Sequence, residues 1–382
     1  MLSLAAGYVL DYAPTENLKR RANWHHRRAL LLLGNELNDP SNYDIGKEEP
    51  LLMALSLLNQ EDTVNWETRE ATKRDPKWYR GSSAIRKLLE LSDPGYYYQH
   101  PRNVQSTNNR YFMGHYQVKN LILSDTCAPL EAEADEADEN AYRWLLEGSK
   151  RDVRRISGLS GCCAKVLHIF TQATRLCKKL RDSPDSLAVL AAGKILLEHL
   201  VSFKQWSDLA EPHSSTEDLF EACQADRDEE GHVQTAALSV ALNGEAYVQA
   251  AQIYLLCRLF RRPRRHPDVQ SRLRCLIKCT DWIPLEGPLY TAQDSLFGLA
   301  MAGIVAVEEH DRDTLRKQFG PLETGSRGND TPVCRMLDRL WVWLDDNAID
   351  ADDEEKPLRD RVAWWERMTE HIFEIEGRLN ML

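Results

Sequence analysis

The densest run of groups able to bind an anion is Arg258, Arg261, Arg262, Arg264, Arg265 and His266. Clustered guanidinium groups serve as a nuclear-import signal or as a phosphate contact. The plainer reading is a helix C-terminus carrying cations at the negative end of its dipole, just before a proline turn, and the position of Pro263 and Pro267 favours it. Near the other end of the chain, Trp341, Trp343, Asp345 and Asp346 lead into Asp350, Asp352, Asp353, Glu354 and Glu355, with Trp364 and Trp365 beyond. Acids mixed with aromatics can dock hydrophobic grooves as an activation segment. The tryptophans fall at helical spacing, however, so a solvated acidic loop between two core helices is the simpler expectation.

Other constellations carry less chemistry. Cys275 and Cys279 are four apart on one helical face, but metal binding or redox sensing needs more ligands or an activated thiolate, so burial is expected. Cys162 and Cys163, as neighbours on a helix, point to different sides. His25 and His26 sit beside Arg27 and Arg28, which disfavours a metal cation, and are read as surface residues. Asp345 and Asp346 begin a magnesium-diphosphate motif of the kind helical lyases use, but position 349 is Ile and the spacing fails. No HExxH, P-loop, GxSxG or dinucleotide-binding glycine pattern occurs. The sequence thus assigns no catalytic residue and no metal ligand.

The elements that must position these groups are helices. Apolar residues recur at steps of three and four from Arg154 to Leu180. Further helices are predicted at Met1–Tyr12, Leu18–Leu37, Pro50–Leu58, Lys77–Leu91, Ser186–Leu209, Gln234–Phe260 (with a weak point at Asn243–Glu245), Asp268–Trp282, Thr291–Phe319, Val333–Asp345 and Leu358–Leu379. Pro267 suits a first helical turn. Turn chemistry marks loops at Asn38–Tyr43, Ser92–Asn109, Pro321–Asn329 and Asn347–Lys356. No sustained alternation signals strands. The fold expected is all-α: a large irregular domain of antiparallel helix pairs around one continuous core, without significant sheet. It is read as one domain, 1–382, with its best candidate seam at 131–140.

Composition bounds the function. The 382 residues are 43% hydrophobic and 28% charged, with net charge −11. Such a chain repels a phosphate backbone on average. No apolar run approaches a membrane span, and Met1–Leu10 lacks a basic leader, so no signal peptide and no membrane partner are expected. Nine cysteines without a Cys-x-x-Cys pair fit a reducing compartment.

Several stretches share a resemblance. ISGLSGCCAKVLHIFTQATRLCKKL (156–180) is similar to the helix that opens the most typical part of the fungal-specific transcription factor domain, second type. FKQWSDLA (203–210), AYVQAAQIYLLCRLFRRPRRHPDVQ (246–270), WIPLEGPLYTAQDSLFGLAMAGIVAVEEHDRDTLRKQF (282–319) and RMLDRLWVWLD (335–345) resemble later blocks of that family in the same order. HHRRALLLLGNELNDP and LLMALSLLNQED resemble its earlier paired helices. The resemblance covers nearly the whole chain. It implies the regulatory or effector domain of a nuclear, fungal Zn2Cys6-type regulator of transcription by RNA polymerase II. Partners would be other transcription proteins or a second copy, with room for a small-molecule effector. In this family an N-terminal zinc cluster reads DNA. No Cys-x2-Cys-x6-Cys pattern occurs here, so zinc and DNA contact are expected only from a segment upstream of Met1, and no residue of this chain is assigned to DNA. The alternatives are a cytoplasmic, non-catalytic helical scaffold and, behind it, an all-α lyase.

Overall fold

The structure is a computed structural model and describes residues 2–13, 15–38, 49–64, 76–91, 108–130, 142–146, 148–158, 160–285, 287, 289, 295–325, 330–347 and 355–381. Among them the chain is all-α. Backbone pairing outside helices is limited to isolated bridges such as Arg155 with Trp206 and Ile156 with Cys163. The predicted seam at 131–140 lies outside the described residues, as do most of the loops predicted at 38–43, 92–109 and 347–356.

The chain divides into two compact units, Met1–Leu121 and Ile122–Leu382. In the first, α1 (Leu2–Tyr12) packs on α2 (Glu16–Leu37), and α3 (Glu49–Val64) pairs with α4 (Lys77–Leu91). Leu52, Ile85 and Leu89 form a core on which Leu55 and Leu88 pack. Beside it runs a buried polar chain. Asn59 Nδ2 donates to Ser82 Oγ at 2.8 Å and to Gln117 Oε1 at 2.7 Å. Gln117 belongs to α5 (Asn108–Thr126), a helix no periodicity announced. Its inward groups include His115, Gln117, Lys119 and Asn120, all buried, so polarity masks its buried face. His26 is not a surface residue: it is buried, with Nδ1 3.3 Å from a Glu61 carboxylate oxygen.

The second unit is built around α9 (Ala236–Tyr254). The helix is apolar or small nearly all round, and thirteen of its residues are buried, as a central helix requires. Around it stand α6 (Ala164–Asp182), α7 (Leu187–Val201), α8 (Thr216–Asp226), α10 (Pro267–Asp281) and α11 (Ser295–Val305). The unit continues with α12 (Glu309–Gly325), α13 (Asp330–Asp346) and α14 (Trp364–Ile375). Pro267 occupies the first turn of α10 as predicted, with His266 Nδ1 accepting from the Asp268 amide at 3.1 Å.

Four predicted helices are shorter or broken, and in the first three tertiary hydrogen bonds explain the change. The helix expected from Arg154 begins only at Ala164. Ile156 and Cys163 instead bond to the 203–210 segment, the Ile156 amide donating to the Trp206 carbonyl at 2.8 Å and the Cys163 amide to Gln205 Oε1 at 2.8 Å, and Gly161 turns the chain at φ 67°. Cys162 and Cys163 therefore precede the helix rather than sit on it. The helix expected to reach Leu209 stops at Val201, because Trp206 faces Arg151: its indole donates to the Arg151 carbonyl at 2.7 Å under that guanidinium. The helix expected over Thr291–Phe319 is two helices, α11 and α12. Its broken carbonyls find side-chain donors: Trp341 Nε1 to Gly303 at 2.8 Å, Gln270 Nε2 to Val305 at 3.2 Å and Arg312 Nε to Ala306 at 3.4 Å. The last predicted helix begins as a single 3-10 turn at Leu358–Asp360 before α14.

Candidate functional site

The two constellations singled out in the sequence meet. Arg264 has a side chain only 1% exposed and donates to Asp345 at 3.2 Å. Arg312 grips the same carboxylate with two bonds of 2.8 and 2.9 Å. These guanidinium groups, Arg312 first, hold the Asp345 carboxyl below the usual range. A magnesium-binding role for Asp345 would have to break this fork. Trp341 is buried and Trp343 stacks on His371 with ring centres 4.5 Å apart, while Asp346 is exposed. Asp350, Asp352, Asp353 and Glu354 lie outside the described residues.

The other arginines of the run are also drawn into the fold. Arg258 lies on a π-helical turn, Leu255–Leu259, that carries it inward at the end of α9. Its guanidinium donates to Glu366 at 2.7 and 2.8 Å, to the Tyr254 hydroxyl at 2.9 Å, and to the carbonyls of Asp125, Thr126 and Ala128 at 3.2, 3.1 and 3.0 Å. Burial opposes the charge, but Tyr254 and Glu366 more than offset it and raise the pKa further. Arg261 takes a left-handed backbone, φ 51°, and directs one nitrogen at the carbonyls of Leu358, Arg359 and Arg361. The Arg262 carbonyl accepts from Trp364 Nε1 at 2.8 Å. Only Arg265 is exposed; it pairs with Glu308 at 3.2 Å.

The thiols are arranged as packing groups. Seven of the nine cysteines are buried, and Cys275 and Cys334 are partly so. Burial pushes Cys127 up to about 11 and Cys163, Cys177 and Cys223 up to about 12, so these sulfurs stay protonated and unreactive. Among the described residues no group of three or more His, Cys, Asp or Glu side chains could hold a metal, and no helix is long and apolar enough to cross a membrane.

Two cavities have a defined lining among the described residues. In the first unit a largely apolar cavity of about 710 Å³ opens between α1, α2 and α3, lined by Leu2, Leu32, Leu33, Leu51 and Leu57, with Glu61 at one side. In the second, a polar cavity of about 460 Å³ lies where α8, α9, α10 and the 201–205 segment converge. Its residues are scattered in the sequence and each is ordinary alone, so no local pattern announces it. Glu245 of α9 lines it, accepting from Gln249 Nε2 at 2.6 Å and from Thr216 Oγ1 at 2.9 Å. Desolvation raises the Glu245 carboxyl, against those two hydrogen bonds and the charge of Arg272. Arg272 of α10 and Lys204 bring positive charge to the same space, which His213 also lines.

The wall is fixed by Gln205. Its Nε2 donates to the Gly244 carbonyl at 2.6 Å and its Oε1 accepts from the Cys163 amide at 2.8 Å. A Cβ at Gly244 would stand 2.7 Å from Ile156 Cδ1 and 3.0 Å from Gln205 Nε2. The glycine that looked like a weak point in the helix is therefore where this wall makes its closest approach. Ser215 caps α8 by accepting from the Asp218 amide at 3.1 Å, while Asp218 accepts from Ser214. The start of α8 is thus already satisfied.

No curated protein and no solved structure matches this chain. The model of the fungal-specific transcription factor domain matches residues 1–375, and so spans both units. With that match over nearly its whole length, the chain belongs to the fungal-specific transcription factor domain family, and transcription regulation, rather than catalysis, is the role that goes with it.

Proposed function

We propose that this chain is the effector region of a Zn2Cys6-type regulator of RNA polymerase II transcription, working in the nucleus, with DNA contact supplied by a zinc cluster outside residues 1–382. The observation that carries the reading is the family match over residues 1–375. Because that match runs over both compact units, we take 1–382 as one regulatory domain. The placement of the arginine run supports a packing role for Arg261, Arg262 and Arg264, which leaves Arg265 as its accessible member.

Regulation of this kind acts through protein contacts, and exposed apolar residues supply candidates. Leu187 is 80% and Ile195 67% exposed on α7, a helix otherwise apolar on its sides. Trp24, Leu31 and Leu32 are exposed on α2. Apolar surface of this type marks interaction sites.

The test joins residues 1–382 to an unrelated DNA-binding domain and places its operator before a reporter gene in a fungal host. Reporter output several-fold above or below that of the DNA-binding domain alone is the expected result. Unchanged output, with the fusion expressed and nuclear, would leave the cytoplasmic scaffold as the better reading.

A further inference from the structure

We propose that the polar cavity between α8, α9 and α10 binds a small zwitterion, with Glu245 receiving its ammonium group and Arg272 its carboxylate. This deepens the regulatory reading by giving it an effector class and a site.

The argument starts from charges that face one space without neutralising each other. Glu245 and Arg272 both line the cavity, and Arg272 acts on the Glu245 carboxyl through space. No ion pair within 4 Å joins them among the described residues. Elsewhere in this unit buried arginines are engaged directly, as Arg258 is by Glu366 and Arg312 by Asp345. A carboxylate and a guanidinium set apart across a cavity are matched by a molecule that carries both opposite charges.

The surroundings narrow the class. The Glu245 carboxylate is held by Thr216 and Gln249, so its position is preset, and a fixed group loses little entropy on binding. A plain anion would meet Glu245 and Glu217 in the same cavity, and a plain cation would meet Arg272 and Lys204. The volume of about 460 Å³ lies at the small-ligand end of the usual range of roughly 300–1,000 Å³. Fixed walls, with Gln205 docked on Gly244 and Ile156 beside it, favour a compact molecule. The site also touches three helices and the 201–205 segment, so occupancy would tie these elements together at one point.

The experiment is a thermal-shift titration of the full chain at millimolar ligand. The probes are the standard amino acids and a length series of ω-amino acids from glycine to 6-aminohexanoate. Butylamine and butyrate serve as single-charge controls. At least one zwitterion is expected to raise the melting temperature by a few degrees, while both controls do not. Glu245→Gln keeps the two hydrogen bonds and Arg272→Gln breaks no ion pair among the described residues, so both variants should melt close to the parent. Each should lose the ligand-induced shift. If no zwitterion shifts the melting temperature, or if the shift survives in both variants, the assignment is overturned. A reporter fusion that is active while the titration is flat would reject the zwitterion site and leave the transcriptional role standing.

Discussion

A few side chains carry most of the specificity of the second unit, and Arg258 is the clearest case. Its planar donors meet a carboxylate, a phenol and three carbonyls at once, a pattern lysine cannot reproduce. Arg258→Met should cost about 3–5 kcal/mol, because Glu366 and the carbonyls lose a buried cation; the midpoint of urea unfolding measures it. Adding Glu366→Met should recover part of that loss, since the uncompensated charge goes with it. Gly244 gives a prediction of opposite sign to helix propensity. Alanine is intrinsically better than glycine in a helix by about 1 kcal/mol, yet Gly244→Ala should destabilise by about 1–3 kcal/mol, because its Cβ would press on Ile156 and Gln205. A variant more stable than the parent would show that this wall yields.

Among the elements, the joint between α11 and α12 shows how tertiary contact overrules local pattern. Trp341→Phe keeps the ring and removes the donor to the Gly303 carbonyl. A loss of about 1–3 kcal/mol is expected, with faster hydrogen exchange at Ala306–Glu308 as the local sign. The sequence showed apolar periodicity on either side of this joint but not the break, because the groups that end α11 come from residues 270, 312 and 341. The same reason hid the late start at Ala164 and the early stop at Val201. By contrast α10 was readable at its start, since His266, Pro267 and Asp268 act on neighbours in sequence. The helix α8 was readable too and was missed: Ser215 three residues before Asp218 is a capping signal. Of the candidate residues, the preference for packing over display in the arginine run suits Arg258, Arg261 and Arg264, whereas the burial of His26 needed Glu61, thirty-five positions away. Nothing local could have assembled the polar cavity, whose Glu245 and Arg272 stand on different helices.

For the whole molecule, buried histidines set the response to acid. Burial first, then Lys119, lowers His115 to about 4, and burial with nearby cations lowers His168 to about 3. As pH falls from 6.5, the unfolded chain takes these protons before the folded one does, so stability is full above that value and declines toward pH 4, by up to about 1.4 kcal/mol per pH unit for each group. Glu245, raised by burial, opposes this with one group against two. The melting temperature should therefore drop between pH 7 and 5, and drop less in a His115→Leu, His168→Gln double variant. Thiol counting gives an independent check on packing. A thiol reagent should react quickly with at most Cys275 and Cys334 in the native protein and with all nine cysteines in denaturant.

The Arg258 clamp has a consequence for how the chain is made. Its carbonyl partners lie some 130 positions before it and Glu366 lies 108 positions after it. During synthesis the arginine leaves the ribosome long before its carboxylate does. Until α14 follows, the interior of the second unit holds a guanidinium without its counter-charge, so helices that are otherwise ready to pack must wait. Nascent chains stopped short of Trp364 should therefore remain bound to chaperones and sensitive to protease, and chains extended past Glu366 should be released. The helix α14 is then the one that licenses folding of everything gathered around α9.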